Sequence, residues 1–567
     1  MAIELENERL LRERPWLKEY DPEVPYIARI PTYPAGDVLR NTAASYPDKD
    51  AIWFYGTTIT FWELYRTVNR YANALMGLGV KQGDRVGLLL PNCPQFVIAF
   101  WAIVTMGGVV VNMNPMYTVE ELEFMAETTE MTALITFDGL IGNMSALSDR
   151  VNIPHIIITS LNDYIPGGGT SSASSLGIKD KGWKSFADML EQTGNYNRPR
   201  PSINQEDPCV IQFTGGTTGT PKGATLSHAN IVTGIYMNMY WGNPVIAGIS
   251  IERRKSFCVL PYFHVYGEIC QMSWSIKNAA TQIILPRFEI EEVMNTLALF
   301  DDISYFAAVP AMLNAIVNHP RAQEMDLGKK LVFVGCGAAP CPPDLIDKML
   351  SMDIFYQEGC GMSETVAQNI SQPCMGKKKV GSIGVPYPST VVRLVDPETG
   401  EDVQGEPFKV GEIVTKGPLV MVGYWNNPQE TANQLKDGWL YTGDLAYRDE
   451  DWHFTIVDRS KDMIISNGYN VFPSEVDNTI FSHPKVFDVM CVGVPDEKRG
   501  EVLKAFVVLK PDTSATPDEI LQWCRERLVP YKIPKDVEFR SSVPRNTTGK
   551  ALRRILREEE LAKLSAK

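Results

Sequence analysis

The stretch that most limits what this chain can fold into is Ile211–His228, IQFTGGTTGTPKGATLSH. β-Favouring residues lead in (Cys209, Val210, Ile211, Phe213) and lead out (Ala224 to Leu226). Between them lie Thr214, Gly215, Gly216, Thr217, Thr218, Gly219, Thr220, Pro221, Lys222 and Gly223. Neither a helix nor a strand interior accommodates glycine at that density, because each one costs backbone entropy. The segment therefore reads as a loop between two strands. Its glycines let the backbone approach a ligand closely, with several N–H groups converging on an anion. The threonine hydroxyls add donors and Lys222 adds a positive charge, so the parts are those of a polyphosphate cradle.

The spacing is not that of a Walker A loop, where Gly-Lys is followed directly by a magnesium-binding Ser or Thr. Here Pro221 precedes the lysine and Gly223 follows it. Gly, Thr and Pro also punctuate ordinary surface turns, so the rest of the chain has to decide between the two.

At 567 residues the chain is too long for one core and fits about three or four structural units. A net charge of −14 argues against DNA or RNA, which are met by clustered Lys and Arg; a small phosphate ligand needs only local positive charge. Ten cysteines without a C-x-x-C pair indicate neither a zinc framework nor a disulfide scaffold, and point to reduced thiols in the cytoplasm. The first residues, MAIELENERLLRERPW, are charged and lack an apolar core, so no signal peptide is expected. Val86 to Val119 carries no charge at all, yet Pro91 and Pro94 open it and Gly107-Gly108 divides it. The helical piece is then about 13 residues, roughly 20 Å, short of the ~30 Å hydrocarbon core. A buried helix followed by the strand VVVNMNP is expected rather than a membrane span.

From Thr58 to Arg85 the pattern is helical, with Phe61, Leu64, Tyr65, Val68, Tyr71, Ala72, Leu75 and Met76 on one apolar face. Gly79 and Gly83 close that element. Strands follow at Val86–Leu90, Thr132–Thr136 and His155–Thr159, alternating with helices as in a doubly wound α/β layer. PGGGTSSASS, within 160–182, reads as an exposed loop. Ser227 caps a helix through about Tyr240, and CVLPYFHVYG reads as a strand with His264 beside aromatic rings. By burial habit such a histidine is a core residue. VFVGCGAAP and IFYQEGCGMSET each run from a strand into a glycine-rich turn where a ligand can approach the backbone. From Met463 the pattern becomes a compact α+β unit, placing a boundary at Asp458 to Lys461. PRNTTGKALRR then presents Lys550 ahead of a basic helix; alone, such a run is a solvated tail.

Four stretches in this order, TGGTTGTPKG, GCGMSET, YTGD with VDRSKD, and NTTGK, resemble the adenylate-forming superfamily of acyl-CoA synthetases, luciferases and peptide-synthetase adenylation domains. The resemblance runs from about Asn41 to Arg554. TGGTTG and the long stretch DGWLYTGD through VDRSKDMIISNGYNVFPSEV are most similar to bacterial long-chain fatty acyl-CoA ligases. It implies an α/β fold, with a large N-terminal domain of doubly wound sheets (1–458) and a small mobile α+β C-terminal domain (459–567). It implies ATP, Mg²⁺ and CoA as cofactors or co-substrates. Thr214 to Lys222 would hold the β- and γ-phosphates, with Thr217 and Glu364 at the metal and Ser363, where the family usually has Thr, at the α-phosphate. Asp444 would hold the ribose hydroxyls with Arg459 beside it. Gly337 and Ala338, with Gln357, Glu358 and Gly359, would frame adenine. Tyr262, Val309, Pro310, Met312, Gly335 and Gly361 would line the acyl pocket. His264 and Gly468 would lie on the CoA path, Lys461 would be the hinge, and Lys550 would bridge the attacking carboxylate and the α-phosphate. His264 moves by this likeness from a core residue to a catalytic one.

One position departs from the family. Cys360 stands where a tyrosine usually stacks on adenine, and a thiol offers far less area. Expected partners are a fatty or related carboxylic acid, ATP and CoA, with no nucleic acid. An aromatic or alicyclic acid, loading of a carrier protein, and a membrane-associated uptake protein are the alternatives. The last would call for a basic amphipathic segment, and none is clear. Peripheral contact with the inner membrane face and a homodimer are both left open.

Overall fold

A computed structural model describes residue 9 and residues 12–214, 221–466, 469–496, 500–545 and 551–565. The chain divides into two compact units, Met1–Val391 with Lys416–Gly438, and Val392–Thr415 with Trp439–Lys567. The boundary expected at 458/459 falls inside the second unit, at the end of the strand Phe454–Arg459.

In the larger unit Thr60 starts helix α1 (Phe61–Gly77). Its hydroxyl takes the Glu63 N–H while the Glu63 carboxylate takes the Thr60 N–H, a reciprocal cap. Phe61, Leu64, Val68, Tyr71, Ala72 and Leu75 are buried as expected, but Met76 is 48% exposed. Tyr65 and Met76 lie eleven residues apart, hence at one position on the wheel, and that position is the edge of the stripe rather than its centre. Helix α2 (Pro94–Thr105) is buried at every residue and lies in the chain between strands β1 (Arg85–Leu89) and β2 (Val109–Asn112). No described helix is long and apolar enough to cross a membrane.

The strands β3 (Ala133–Phe137), β4 (His155–Thr159), β5 (Lys184–Ser185), β6 (Pro208–Thr214) and β7 (Lys222–Ser227) complete most of an eight-stranded sheet. Its order is Gly423–Tyr424, β7, β6, β2, β1, β3, β4, β5. From β6 to β5 every pair is parallel, which suits strands buried on both faces. The two pairs at the other edge are antiparallel. Leu89, Val111, Leu134, Ile158, Ile211 and Phe213 share the core along this sheet.

Helix α3 (His228–Ile246) is capped by Ser227 and runs a further turn and a half beyond Tyr240. After it, the expected strand CVLPYFHVYG is only partly a strand, since β8 (Lys255–Cys258) stops short and His264 caps a helical run, Val265–Lys277, with a π turn at Glu268–Ser273. The chain folds back on itself there. A Cβ on Gly267 would lie 2.2 Å from the Pro261 carbonyl oxygen, so only glycine fits. A second sheet pairs β8 with β9 (Thr281–Ile284), then Asp50–Phe54 and Thr57–Thr60. A third runs β10 (Phe306–Ala308), β11 (Phe333–Cys336), β12 (Phe355–Cys360), Ile370–Ser371 and Val385–Pro386.

The smaller unit has one antiparallel array built on Gly411–Lys416, Trp439–Arg448 and Phe454–Arg459. A second sheet centres on the hairpin Val486–Asp496/Gly500–Leu509. Helices Pro473–Phe481 and Pro517–Arg525 share a core with it through Val476, Ile480, Ile520, Val489 and Leu503, and Arg553–Ser565 supplies Leu556 to a second cluster. This is the expected α/β class with a smaller α+β unit.

Candidate active site

Strands β6 and β7 bring the ends of the glycine-rich segment together. Thr214 and Lys222 are register partners, and the Thr214 hydroxyl donates to the Lys222 carbonyl at 3.4 Å. Gly223 follows the lysine because a Cβ there would sit 2.8 Å from Ile211 Cγ2. Gly215, Gly216, Thr217, Thr218, Gly219 and Thr220 lie outside the described residues.

Lys222 Nζ is ion-paired with Glu430 and stands 5.5 Å from the Tyr424 ring centroid. Glu364 is 5% exposed, on a single 3₁₀ turn (Ser363–Thr365). Its Oε1 accepts from the Tyr424 hydroxyl at 2.8 Å, and its backbone carbonyl accepts from the Met421 N–H at 2.9 Å. The turn before it is tight, for a Cβ on Gly361 would meet the Ala367 carbonyl oxygen at 1.8 Å. Val366 and Ala367 hold left-handed backbone, φ 53° and 79°, a strain of the kind that persists where surrounding structure imposes it. Lys222, Glu364 and Ser363 thus arrive from separate stretches, and Tyr424 and Glu430 join them from a third. No motif pointed to those last two. They sit 60 and 208 residues from the groups they touch, and the only local trace is a two-residue strand, Gly423–Tyr424, added to β7.

The turn after β11 packs on two tyrosines that sequence reasoning did not single out. Tyr266 donates to the Gly335 carbonyl at 3.1 Å, and a Cβ on Gly335 would lie 2.8 Å from the Tyr305 hydroxyl oxygen. Gly337 faces the Tyr266 ring, its N–H donating to Ala308, and Ala338 has φ 68°. On β12, Glu358 pairs in register with Cys336 and accepts the Cys341 N–H at 3.0 Å. Burial pushes its carboxyl up to about 7. The Gln357 amide is bonded to Ser371 and accepts from Cys374. Gly359 and the half-buried Cys360 pair with Ser371 and Ile370.

Tyr262 lies in the core near Asn92 and Gln282. It is fully buried, donating to Gln282 through its hydroxyl and to Asn92 through its N–H. Val309 caps the helix Pro310–Val317, which carries Met312. A small cavity of about 20 Å³, partly open to solvent, is lined by Asn238, Trp241, Trp274, Tyr305, Phe333 and Tyr387, room for about one water. His264 accepts the Tyr266 N–H on Nδ1 at 3.2 Å, which puts the proton of the neutral ring on Nε2.

In the smaller unit Asp444 and Arg459 are register partners joined by an ion pair, Nε to Oδ1 at 2.9 Å, with Asp444 9% exposed. Lys461 is exposed in the following turn, which closes through Asp462 and Met463 N–H bonds to the Arg459 carbonyl. Gly468 and Lys550 lie outside the described residues.

Comparison with known proteins agrees over nearly the full length. A long-chain-fatty-acid–CoA ligase of Bacillus subtilis (strain 168) is 38% identical, covering 97% of this chain and 98% of its own. A feruloyl-CoA synthase of an Amycolatopsis species is 33% identical over 89% and 95%. ATP-bound MatB from Rhodopseudomonas palustris superposes with a TM-score of 0.82 at 26% identity, covering 93% of this chain and 99% of that one. An anthranilate–CoA ligase, AuaEII, in complex with anthranoyl-AMP gives 0.83 at 25%, covering 94% and 98%. Residues 39–425 match the AMP-binding enzyme family, and 475–550 match the AMP-binding enzyme C-terminal domain. The chain belongs to the AMP-binding enzyme family.

Proposed function

We propose that the protein is an ATP-dependent, AMP-forming ligase that joins a fatty carboxylic acid of medium to long chain to CoA. The observation that carries this is the meeting of Lys222, Glu364 and Tyr424 at the Thr214–Lys222 end of β6 and β7, beside a family resemblance spanning almost the whole chain. The acid is taken from the B. subtilis relative's printed activity.

Thr214 to Lys222 hold the β- and γ-phosphates, and Ser363 reaches the α-phosphate. Asp444, paired with Arg459, accepts the ribose hydroxyls. Gly337, Ala338 and the strand Gln357–Glu358–Gly359 frame adenine, and Cys360 offers it less area than a ring would. Glu364 fits a hard cation. Magnesium is held by one or two carboxylates together with substrate phosphates, and the described residues contain no denser donor cluster. When bound, Mg²⁺ supplies positive charge to the triphosphate. Lys222 and Lys550 supply the rest, because a carboxylate attacking a phosphate is a problem of positioning and charge rather than acid–base work. The acyl-adenylate so formed is a mixed anhydride, and the CoA thiol displaces AMP from it along a path past His264 and Gly468. The C-terminal body, 459–567, turns about Lys461 between the two steps.

A second reading, an aromatic acid, is drawn from the printed activities of the feruloyl-CoA synthase and the anthranilate–CoA ligase. Acid-dependent pyrophosphate release, measured over acids of rising chain length and over benzoate and cinnamate types, with and without CoA, tests both. Release that is absent for every acid refutes the ligase, and a maximum at ring acids replaces the fatty substrate. Product formation with a carrier protein but not CoA would move the thiol acceptor. Cytoplasmic location, peripheral contact with the inner membrane face and self-association belong to the same proposal; vesicle flotation and light scattering test the last two.

A further inference from the structure

We infer that Tyr424 is a positioning residue for the nucleotide site, its hydroxyl fixing the Glu364 carboxylate for a divalent cation and its ring holding Lys222 at a set distance from that carboxylate. This rests on the roles proposed above for Glu364 and Lys222.

Tyr424 is 8% exposed, in a strand of two residues that extends the sheet beside β7, with Tyr424 opposite Ala224. One side chain thereby touches both charged arms of the site. The hydroxyl donates to Glu364 Oε1 at 2.8 Å, and Lys222 Nζ lies 5.5 Å from the ring centroid, within cation–π range. The strand is held in place by hydrogen bonds on both sides. Met421 N–H binds the Glu364 carbonyl, Tyr424 N–H donates to the Thr431 hydroxyl, and Asn230 donates to the carbonyls of Pro418 and Val420. Residues 418–424 thus hold Glu364 by its backbone and by its side chain. A carboxylate has about four lone-pair sites, so one bond to the phenol orients it and leaves the others for a cation. Groups that orient a metal ligand in this way typically carry about 10- to 100-fold in metal affinity.

The test uses the full chain with Mn²⁺ as the paramagnetic probe and α,β-methylene-ATP as the nucleotide. Wild type, Tyr424→Phe, Glu364→Gln and the double variant are titrated by electron paramagnetic resonance, and analogue binding without metal is measured alongside. Tyr424→Phe keeps the ring, so metal-free analogue binding should hold while Mn²⁺ affinity falls about 10- to 100-fold. In the Glu364→Gln background the same change should add nothing. Tyr424→Leu should in addition weaken metal-free binding, because Lys222 loses the ring. Unchanged Mn²⁺ affinity in Tyr424→Phe, with a loss in Glu364→Gln, overturns the inference and leaves the carboxylate's role standing. No loss in Glu364→Gln overturns that role as well. Losses that simply add in the double variant show that the hydroxyl does not act through Glu364, and also overturn it.

Discussion

Glu430→Gln should tighten ATP binding. In the structure the Lys222 ammonium is already neutralised by Glu430, and the hydrogen bond from Lys222 holds that carboxyl below the usual carboxylate range. A triphosphate arriving at Lys222 competes with the carboxylate for one ammonium and places its own charge beside it. The two side chains are 18% and 34% exposed, so the pair is close to a surface pair and contributes about 1 kcal/mol at most. Glutamine keeps the shape and an acceptor oxygen while removing the charge. The nucleotide then gains what the pair contributed to the free protein, about fivefold in Kd at that limit. The same substitution takes that contribution from the folded chain, a fall in Tm of about 2 °C or less for a protein of this size. Titration calorimetry with ATP in EDTA measures the change without metal, and repeating it at high salt should shrink the difference. An unchanged or weaker Kd in Glu430→Gln would refute the competition, and Lys222 would then reach phosphate with the pair intact.

Proline at 461 should separate the half-reactions. Lys461→Pro fixes φ near about −65° in the turn after Arg459, so adenylate formation should stay near wild type while thioester formation falls at least about tenfold, or ~1.4 kcal/mol in the barrier. Stopped-flow measurement of each step decides it, and parallel loss of both, or of neither, excludes that hinge. Glu268→Gln should flatten the pH dependence of stability. Glu268 is fully buried against Asn112, and burial pushes its carboxyl up to about 8, partly offset by the Asn112 amide. The folded chain therefore keeps a proton that the unfolded chain has lost, and this contribution is complete below the unfolded value and disappears as pH rises through about 8. Between pH 5 and 8.5 wild type should lose about 4 kcal/mol from this group and Glu268→Gln none of it; parallel Tm profiles would show that the carboxylate is stabilised by other means.

The parts of this protein that announce themselves are those whose cause is local. The β-formers flanking the glycine-rich segment marked the strands β6 and β7, and the two proline residues with Gly107-Gly108 marked α2 as a buried helix too short to span a lipid core. The stretch around His264 misled because its apolar residues suit a strand, whereas the decisive event is a fold-back that Gly267 permits over the Pro261 carbonyl. Tyr262 and Tyr266 are near-equivalent in composition, yet one is tied to Asn92 and Gln282 and the other to Gly335. Four residues of chain direction decide that, and no pattern of residue types records it. Tyr424 and Glu430 were illegible for a different reason: the groups they meet are remote in the chain, so their partners exist only once the sheet has formed.

The backbone passes into the smaller unit at Val392, comes back at Lys416 and leaves again at Trp439. Anyone recombining this gene with that of a relative meets that path directly. A single junction after Val391 would deliver Tyr424 and Glu430 from one parent and Lys222 and Glu364 from the other, so the ion pair and the phenol bond would be inherited as mixed halves. A junction after Gly438 keeps all four from one parent and exchanges the remainder of the smaller unit. Hybrid enzymes cut at these two points should therefore differ in metal requirement even where their acyl pockets are the same.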